Sequence, residues 1–586
     1  MTDADEALTA EPARPAARPL AANPEVIRVG NCSGFYGDRF SALREMLEGG
    51  ELDVLTGDYL AELTMLILAR DRLKDPTLGY AKTFLRQAEE CLGLAVDRGV
   101  RIVVNAGGLN PAGLRAKLET LAGTCKIPVK VAHVEGDDLT ARATALNLGS
   151  PLAANAYLGA WGIVECLNAG ADVVVTGRVT DASLVVGPAA AHFGWGRTDH
   201  DRLAGAVAAG HVLECGAQAT GGNYSFFTEV ADLTKPGFPL AEIHRDGSSV
   251  LTKHPGTGGA VTRDTVTAQL VYEVGGARYA GPDVTTRLDS IELSTDGADR
   301  VRIHGVKGEP PPPQLKVSLN SIGGFRNEMT LVLTGLDIEA KAELVQRQVE
   351  AGLTAKPNEL RWTLARTDQR NADTEQTASA LLRCVVRDPD REVVGRAFSN
   401  VVVELALASY PGFHATSTPS AASVYGVFTA GYVDAADVPH TAVLPGGVRI
   451  SVAGGTDHRP LAGVEPPALP PPLPPGPTVT RPLGTIAAAR SGDKGGDANV
   501  GVWVRTDPQW RWLAHTLTVE RLRELLPEAA GLPITRTPLP RLRALNFVIE
   551  GLLGDGAAAQ ARFDPQAKAL GEWLRARHLP IPVEVL

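Results

Sequence analysis

Three stretches of this chain repeat one pattern: a short β-branched run, a polar loop rich in glycine, then a helix-forming segment. That repetition narrows the fold more than any other feature. In ADVVVTGRVTDASLVVG (171–187), Val173, Val174 and Val175 suit a strand buried on both faces. The pattern breaks at Thr176 and Gly177 and resumes as a helix from Thr180 or Asp181, both good N-cap residue types. VIRVGNCSGFYGDRFSALREML pairs a strand at 26–29 with a helix starting near Asp38. RIVVNAGGLNPAGLRAKLETLA pairs a strand at 102–104 with a helix after the loop 105–111. Such units in succession predict a parallel sheet. Their loops then gather at the carboxyl edge of the strands, where open α/β sheets bind ligands.

With 586 residues the chain exceeds what one core supports, so at least two domains are expected. A hydrophobic share of 44%, a charged share of 21% and a net charge of -10 fit a soluble enzyme and argue against a nucleic-acid partner. Six cysteines, Cys32, Cys91, Cys125, Cys166, Cys215 and Cys384, are scattered without a CxxC pair, as free thiols in a reducing compartment would be. Residues 1–23 are rich in Ala and Pro and carry Asp3, Asp5 and Glu6 where a signal peptide would be basic, so they read as a disordered tail. No apolar run is long enough to span a bilayer. A cytoplasmic protein without a membrane partner is the expectation.

Along the chain, Asp53, Val54 and Leu55 supply another strand, and Leu60, Leu63, Leu66 and Ile67 have helical spacing. Asp38 and Asp58 thus both stand at loop–helix junctions, as N-caps or as proton carriers. A helix over 83–98 and a strand over 129–134 follow. The strand ends in HVEGDDL, where His133, Glu135, Asp137 and Asp138 suggest a metal site; lacking a second histidine at ligand spacing, the segment reads rather as a solvated turn. A helix is expected over 155–168 and another from Leu203. On the latter, His211 and Cys215 fall four apart, so the imidazole could activate the thiol, against the plainer reading of a packed cysteine. Gln218, Thr220 and Asn223 follow as hydrogen-bond donors.

From about 251 the chain reads as a mixed α/β sub-lobe, with a helix over 335–353, strands at LLRCVVRD and VVVELAL, and a loop holding His414. Eight prolines in the twelve residues 466–477 favour polyproline II and place a linker at 464–480. The remainder, 481–586, reads as a small α+β domain. Its segment RSGDKGGDANVG (490–501) is expected to be a ligand-contacting loop. Glycines allow close approach, Lys494 can meet an anion, and Asp493 and Asp497 can hold a cation or orient donors, with Asn499 beside them. The order is not that of a P-loop.

NCSGFYGDR, LTGDYLAELTM, NAGGLNP, VTGRVTDASL, ECGAQATGGNY, HPGTGGAVT and SGDKGGDANVGV occur here in the order seen in the acyclic terpene utilisation protein AtuA family, which the chain resembles from Val26 to its end. The resemblance implies a large α/β domain over 24–463 and a ferredoxin-like domain over 481–586. It also implies a place in the breakdown of citronellol- and geraniol-type acids through acyl-CoA intermediates. The expected activity is hydration, dehydration or carbon–carbon cleavage next to a thioester, with coenzyme A entering as part of the substrate. Asp38, Asp58, Asp181 and Cys215 would carry protons, and Asn105, Gly107, Gly108, Gln218 and Asn223 would donate to an enolate-like oxygen. Arg178 would pair with a substrate carboxylate. Asp493, Lys494, Asp497 and Asn499 would add contacts from the small domain. Nicotinamide chemistry is disfavoured because no strand runs into GxGxxG. The alternatives are a non-catalytic acyl-CoA- or carboxylase-binding subunit and, from the loop aspartates, hydrolysis assisted by a divalent metal. A homo-oligomer is expected.

Overall fold

The computed structural model describes residues 20–586. The tail expected over 1–23 lies outside them up to residue 19; Ala21 already belongs to the core. The first half runs β1 (Val26–Asn31), α1 (Ala42–Gly49), β2 (Val54–Gly57), α2 (Glu62–Lys74), α3 (Lys82–Arg98), β3 (Arg101–Val104), α4 (Pro111–Cys125), β4 (Val131–Glu135), β5 (Ala153–Ala156), α5 (Trp161–Asn168), β6 (Val173–Thr176), α6 (Ser183–Phe193) and α7 (His200–Leu213). Strands β1, β2, β3, β6 and β4 are parallel neighbours in that order, the centre of an eleven-stranded sheet. Antiparallel strands extend it at both edges. β7 (Pro239–His244) and β8 (Ser249–Lys253) lie beyond β1, and Thr441–Val443 pairs with β4.

The valine runs work as their period of two requires. Val173 and Val175 enter a core with Ile102, Val104, Leu43, Phe84 and Leu114, on the face covered by α1, α3 and α4. Val174 points the other way, with Val103, Ile163, Val185 and Leu203, under α5, α6 and α7. A strand with apolar residues at every position is thus the sequence of a sheet covered on both faces.

Contacts divide the chain into two compact units. One comprises residues to 319, 430–552 and 566–586; the other comprises 320–429 and 553–565. In the second, residues 325–334 pair antiparallel with 379–388, which pair with 359–365. The helix Ile338–Gly352 buries Ile338, Ala342, Val345 and Val349 in a core with Leu331, Leu333 and Leu382. The first unit includes the C-terminal α+β part, a four-stranded antiparallel sheet with helices Asp507–Thr516, Val519–Leu525 and Leu570–Arg575.

Three expectations change. VVVELAL is not a strand but lies in the helix Arg396–Glu404 and the turn after it. Phe398, Val401 and Val402 are buried at helical spacing, so burial period overrides β-branched propensity. The helix expected from Asn155 starts only at Trp161, because residues 153–156 form β5. The 490–501 segment is a hairpin rather than a loop. Ala487–Lys494 pairs with Asp497–Val504 down to Lys494 opposite Asp497, and Gly495 turns the chain at φ +66°. Among the described residues no helix is long and apolar enough to cross a membrane.

Candidate functional site

Because β1, β2, β3 and β6 run parallel, the loops after them emerge at one edge. There the sheet places a dense group of charged side chains, all within the first compact unit. Asp58, just past β2, is buried and accepts from the backbone N–H of Leu60 at 3.0 Å and from Asn105 Nδ2 at 2.5 Å. Asn105 is held in turn, its Oδ1 accepting from Tyr59 N–H at 2.7 Å. Arg178, in the turn after β6, is 3% exposed, donates to Asp181 Oδ1 at 2.7 Å and stacks over the Tyr157 ring at 4.3 Å. The Arg178 backbone N–H donates to Asp137 Oδ2 at 2.9 Å, which fixes the turn itself.

The two acids flank one guanidinium, and their charge states are linked. Burial, then repulsion by Asp181, holds Asp58 well above the ordinary carboxylate range despite Arg178. Burial likewise raises Asp181, with Arg178 opposing and Glu62 and Glu273 adding repulsion. Glu62, at the start of α2, goes the other way. Burial raises it, yet Lys316, Arg178 and Lys494 outweigh that and leave it below its usual range. Asp181 keeps 28% of its side chain open and Lys494 is exposed, although desolvation is the leading influence on both. The group is thus crowded with charge and still partly open to solvent.

The C-terminal hairpin reaches this group. Lys494 Nζ donates to the Glu273 carbonyl at 3.1 Å, and Asp493 Oδ1 stands 3.6 Å from Lys568 Nζ. Desolvation, then Lys316, pushes Lys494 down to about 8; water screens the exposed ammonium, so it stays cationic at neutral pH. Burial and Glu273 push Asp493 up to about 6. The C-terminal part therefore contributes groups to the edge of the large sheet within one chain.

Of the residues expected from the sequence, Asp58, Arg178, Asp181, Asp493 and Lys494 converge, with Cys215 near them. Several others serve the frame instead. Asp38 accepts from Gly34 N–H at 2.8 Å and Arg39 N–H at 2.7 Å, bracing its own loop. Asn105 is used up orienting Asp58 and Tyr59. A Cβ on Gly107 would meet the Thr176 carbonyl at 2.5 Å, and the Gly108 N–H donates to the Asn105 carbonyl, so these glycines serve loop-on-loop packing rather than donation to a ligand. Asp497 accepts from Gly551 N–H at 2.8 Å. Asn499 accepts from Glu273 N–H at 2.7 Å and, buried, bonds Asn546. The thiol of Cys215 is pushed well up by burial, then by Glu214 and Glu273, which disfavours a resting thiolate, and His211 contacts Glu214 rather than Cys215.

Gln218 and Asn223 hold Arg490. Gln218 Oε1 and the Asn223 carbonyl accept from its guanidinium, which stacks over Tyr272 at 4.4 Å. Arg490→Ala should leave Gln218 without that partner and uncouple the hairpin from the 216–224 segment. With hydrogen bonds to charged groups contributing about 1.5–3 kcal/mol each, a loss of roughly 2 kcal/mol is expected, read as a lower thermal unfolding midpoint; an unchanged midpoint would show that the contact is idle.

HVEGDDL is not a solvated turn. His133 is buried with Nε2 3.0 Å from Glu135, Glu135 also meets Arg449, and Asp137 is 3% exposed. Among the described residues no group of three or more His, Cys, Asp or Glu side chains is arranged to hold a metal ion. Sequence reasoning missed Glu62, Tyr157, Lys316, Glu214, Tyr272 and Glu273. Glu273 alone has an unusual backbone, φ +56°, but nothing in its local sequence announces that. Clefts of about 430 Å³ and 390 Å³ open elsewhere in this unit, around Asp264 and Arg505 and around Arg197 and His440; neither gathers as many coupled charges, so size does not mark the site.

A family model described as acyclic terpene utilisation family protein AtuA matches residues 27–444, and one described as AtuA ferredoxin-like domain matches residues 481–580. No curated protein and no solved structure matches the chain.

Proposed function

The chain belongs to the acyclic terpene utilisation AtuA family, and from that premise we propose an enzyme that moves a proton at the carbon next to a thioester carbonyl of a branched or terpenoid acyl-CoA. The net reaction is of the hydration, dehydration or carbon–carbon cleavage type. The observation that carries this reading is the pair of carboxyls, Asp58 and Asp181, both held above their ordinary range around one guanidinium. Such a pair holds a proton more tightly than ordinary carboxylates do, so one member gives while the other takes. Arg178 stabilises the negative oxygen that develops when the proton leaves. Lys316 and Lys494 would meet the anionic groups of the substrate. Asn105 keeps Asp58 aimed.

A second reading has its own support. Asn105 and Asn499 spend their amide donors inside the protein, which leaves few neutral donors for an oxyanion and suits a subunit that binds acyl-CoA, or a carboxylase, without turnover. Incubating the purified protein with a panel of branched and terpenoid acyl-CoAs and following mass by spectrometry separates the two. The proposal expects a change of mass by water or by a carbon fragment; tight binding with every thioester recovered intact would favour the second reading.

A further inference from the structure

His211 and Glu214 form a buried pair in the last turn of α7 and just after it, and the proposed chemistry leaves them without a role. His211 Nε2 lies 3.1 Å from the Tyr272 carbonyl, which can only accept, so Nε2 carries a hydrogen. The other ring nitrogen, Nδ1, lies 2.9 Å from Glu214 Oε1. Were the imidazole neutral and the carboxylate ionised, two lone pairs would face each other at that distance. A proton must therefore sit between them. The contact departs from good hydrogen-bond geometry, which an attraction between opposite charges tolerates better than a neutral hydrogen bond does; the arrangement leaves Glu214 Oε2 buried without a partner.

We infer that His211 and Glu214 share one stored proton and act as positioning residues, keeping the charge beside Asp181 balanced so that the Asp58–Asp181 pair can exchange its own proton. The role rests on the reading of Asp58 and Asp181 given above. The pair is placed for it. Groups facing it are Asp181 from the β6–α6 turn, Glu273 and Tyr272 after helix Arg263–Leu270, Tyr279 with its ring 5.1 Å from His211, Lys494 from the C-terminal hairpin, and Cys215 next in the chain. Asn31 Nδ2 ties the segment to β1 through the Leu213 carbonyl at 2.6 Å. Burial pulls the imidazole down, but Glu214 outweighs it and leaves His211 above its ordinary range; burial pushes Glu214 up to about 7 against the pull of His211. Both directions describe one retained proton. Loss of it at high pH would place a net negative charge beside Asp181 and Glu273, and repulsion would hold the proton on Asp181 and close the cycle.

The test combines two readouts. Nitrogen-15 spectra of histidine-labelled protein, with His211→Gln to assign the signal, should show both ring nitrogens of His211 protonated at pH 7, with a transition at least one unit lower in Glu214→Gln. A bare Nδ1 at pH 7, or a transition that Glu214→Gln leaves in place, overturns the stored proton whether or not any substrate is found. The rate of Cys215 alkylation by iodoacetamide against pH reports the field beside Glu214 and Glu273 without turnover. Its midpoint should fall by about one unit in Glu214→Gln, and an unmoved midpoint overturns the role in charge balance. Where an acyl-CoA is turned over, the alkaline limb of kcat/KM should move in Glu214→Gln while the acid limb stays. A uniform drop with no movement of either limb would mean that the pair only packs.

Discussion

Arg178→Ala should lower kcat/KM for the proposed acyl-CoA reaction on the order of a thousandfold while leaving the protein folded. The side chain is buried between Asp181, which it contacts at 2.7 Å, and the Tyr157 ring, and it lowers the cost of ionising Asp58 and Glu62 as well. Removing a group that stabilises a developing oxyanion costs roughly 3–4 kcal/mol in the barrier, and about 1.4 kcal/mol is tenfold in rate. The turn itself should survive, since the bond to Asp137 is made by the Arg178 backbone N–H. Arg178→Lys should recover little, because an ammonium cannot both stack flat on Tyr157 and meet Asp181 with the same geometry. Asp181→Ala should cost activity as well. Steady-state kinetics with circular dichroism as the fold control decides the matter. Full activity in both alanine variants would remove the site assignment.

Asp137→Asn should make the protein more stable above neutral pH and change it little at low pH. Burial pushes this carboxyl up to about 7, against the pull of hydrogen bonds from Arg178 N–H and Asn155. In the unfolded chain an aspartate ionises near 4, so the folded state binds the extra proton between roughly pH 4 and 7. The sign follows. Stability linked to Asp137 is fully present below the unfolded value and is lost as pH rises through the folded one. About three units at about 1.4 kcal/mol each give roughly 4 kcal/mol. An amide at this position does not titrate. It retains an acceptor for Arg178 N–H and can donate to Asn155 Oδ1, which now has no partner. Urea unfolding at pH 5 and pH 8, at matched ionic strength, should show the gap between variant and parent widening at the higher pH. A gap that narrows would mean that the site favours the ionised carboxylate.

How far each element could be read from its residues depended on how local its causes were. Val173–Val175 announces a buried strand because the requirement is written into consecutive positions, and Pro111 with Asn110 before it marks the start of α4 because capping is a matter of neighbours. RSGDKGGDANVG misled because its glycines and charges look like a loop; pairing of its second half with Ala544–Ile549, some fifty residues on, makes it a hairpin built into a four-stranded sheet. VVVELAL misled for the same kind of reason, since which of its faces is covered is set by Leu331 and Leu382 from distant strands. The polar residues show the split most clearly. Asp58 and Asn105 are both conspicuous at strand ends, but nothing local says that one is aimed by the other.

The sequence by itself determined the repeated strand–loop–helix units, the parallel centre of the sheet, the edge at which Asp58, Arg178 and Asp181 emerge, and the family. These follow from side-chain periodicity, capping and ordered motifs, all of short range along the chain. Only the tertiary structure decided that Lys316, Glu273 and the Lys494 hairpin share that edge, that Asp38, Gly107, Gly108, Gln218 and Asn499 serve the frame, and that His211 faces Glu214. Charge states and partners of buried groups depend on what lies across space within a few ångströms, and residues 31, 181, 214, 273 and 494 become neighbours only when the chain folds.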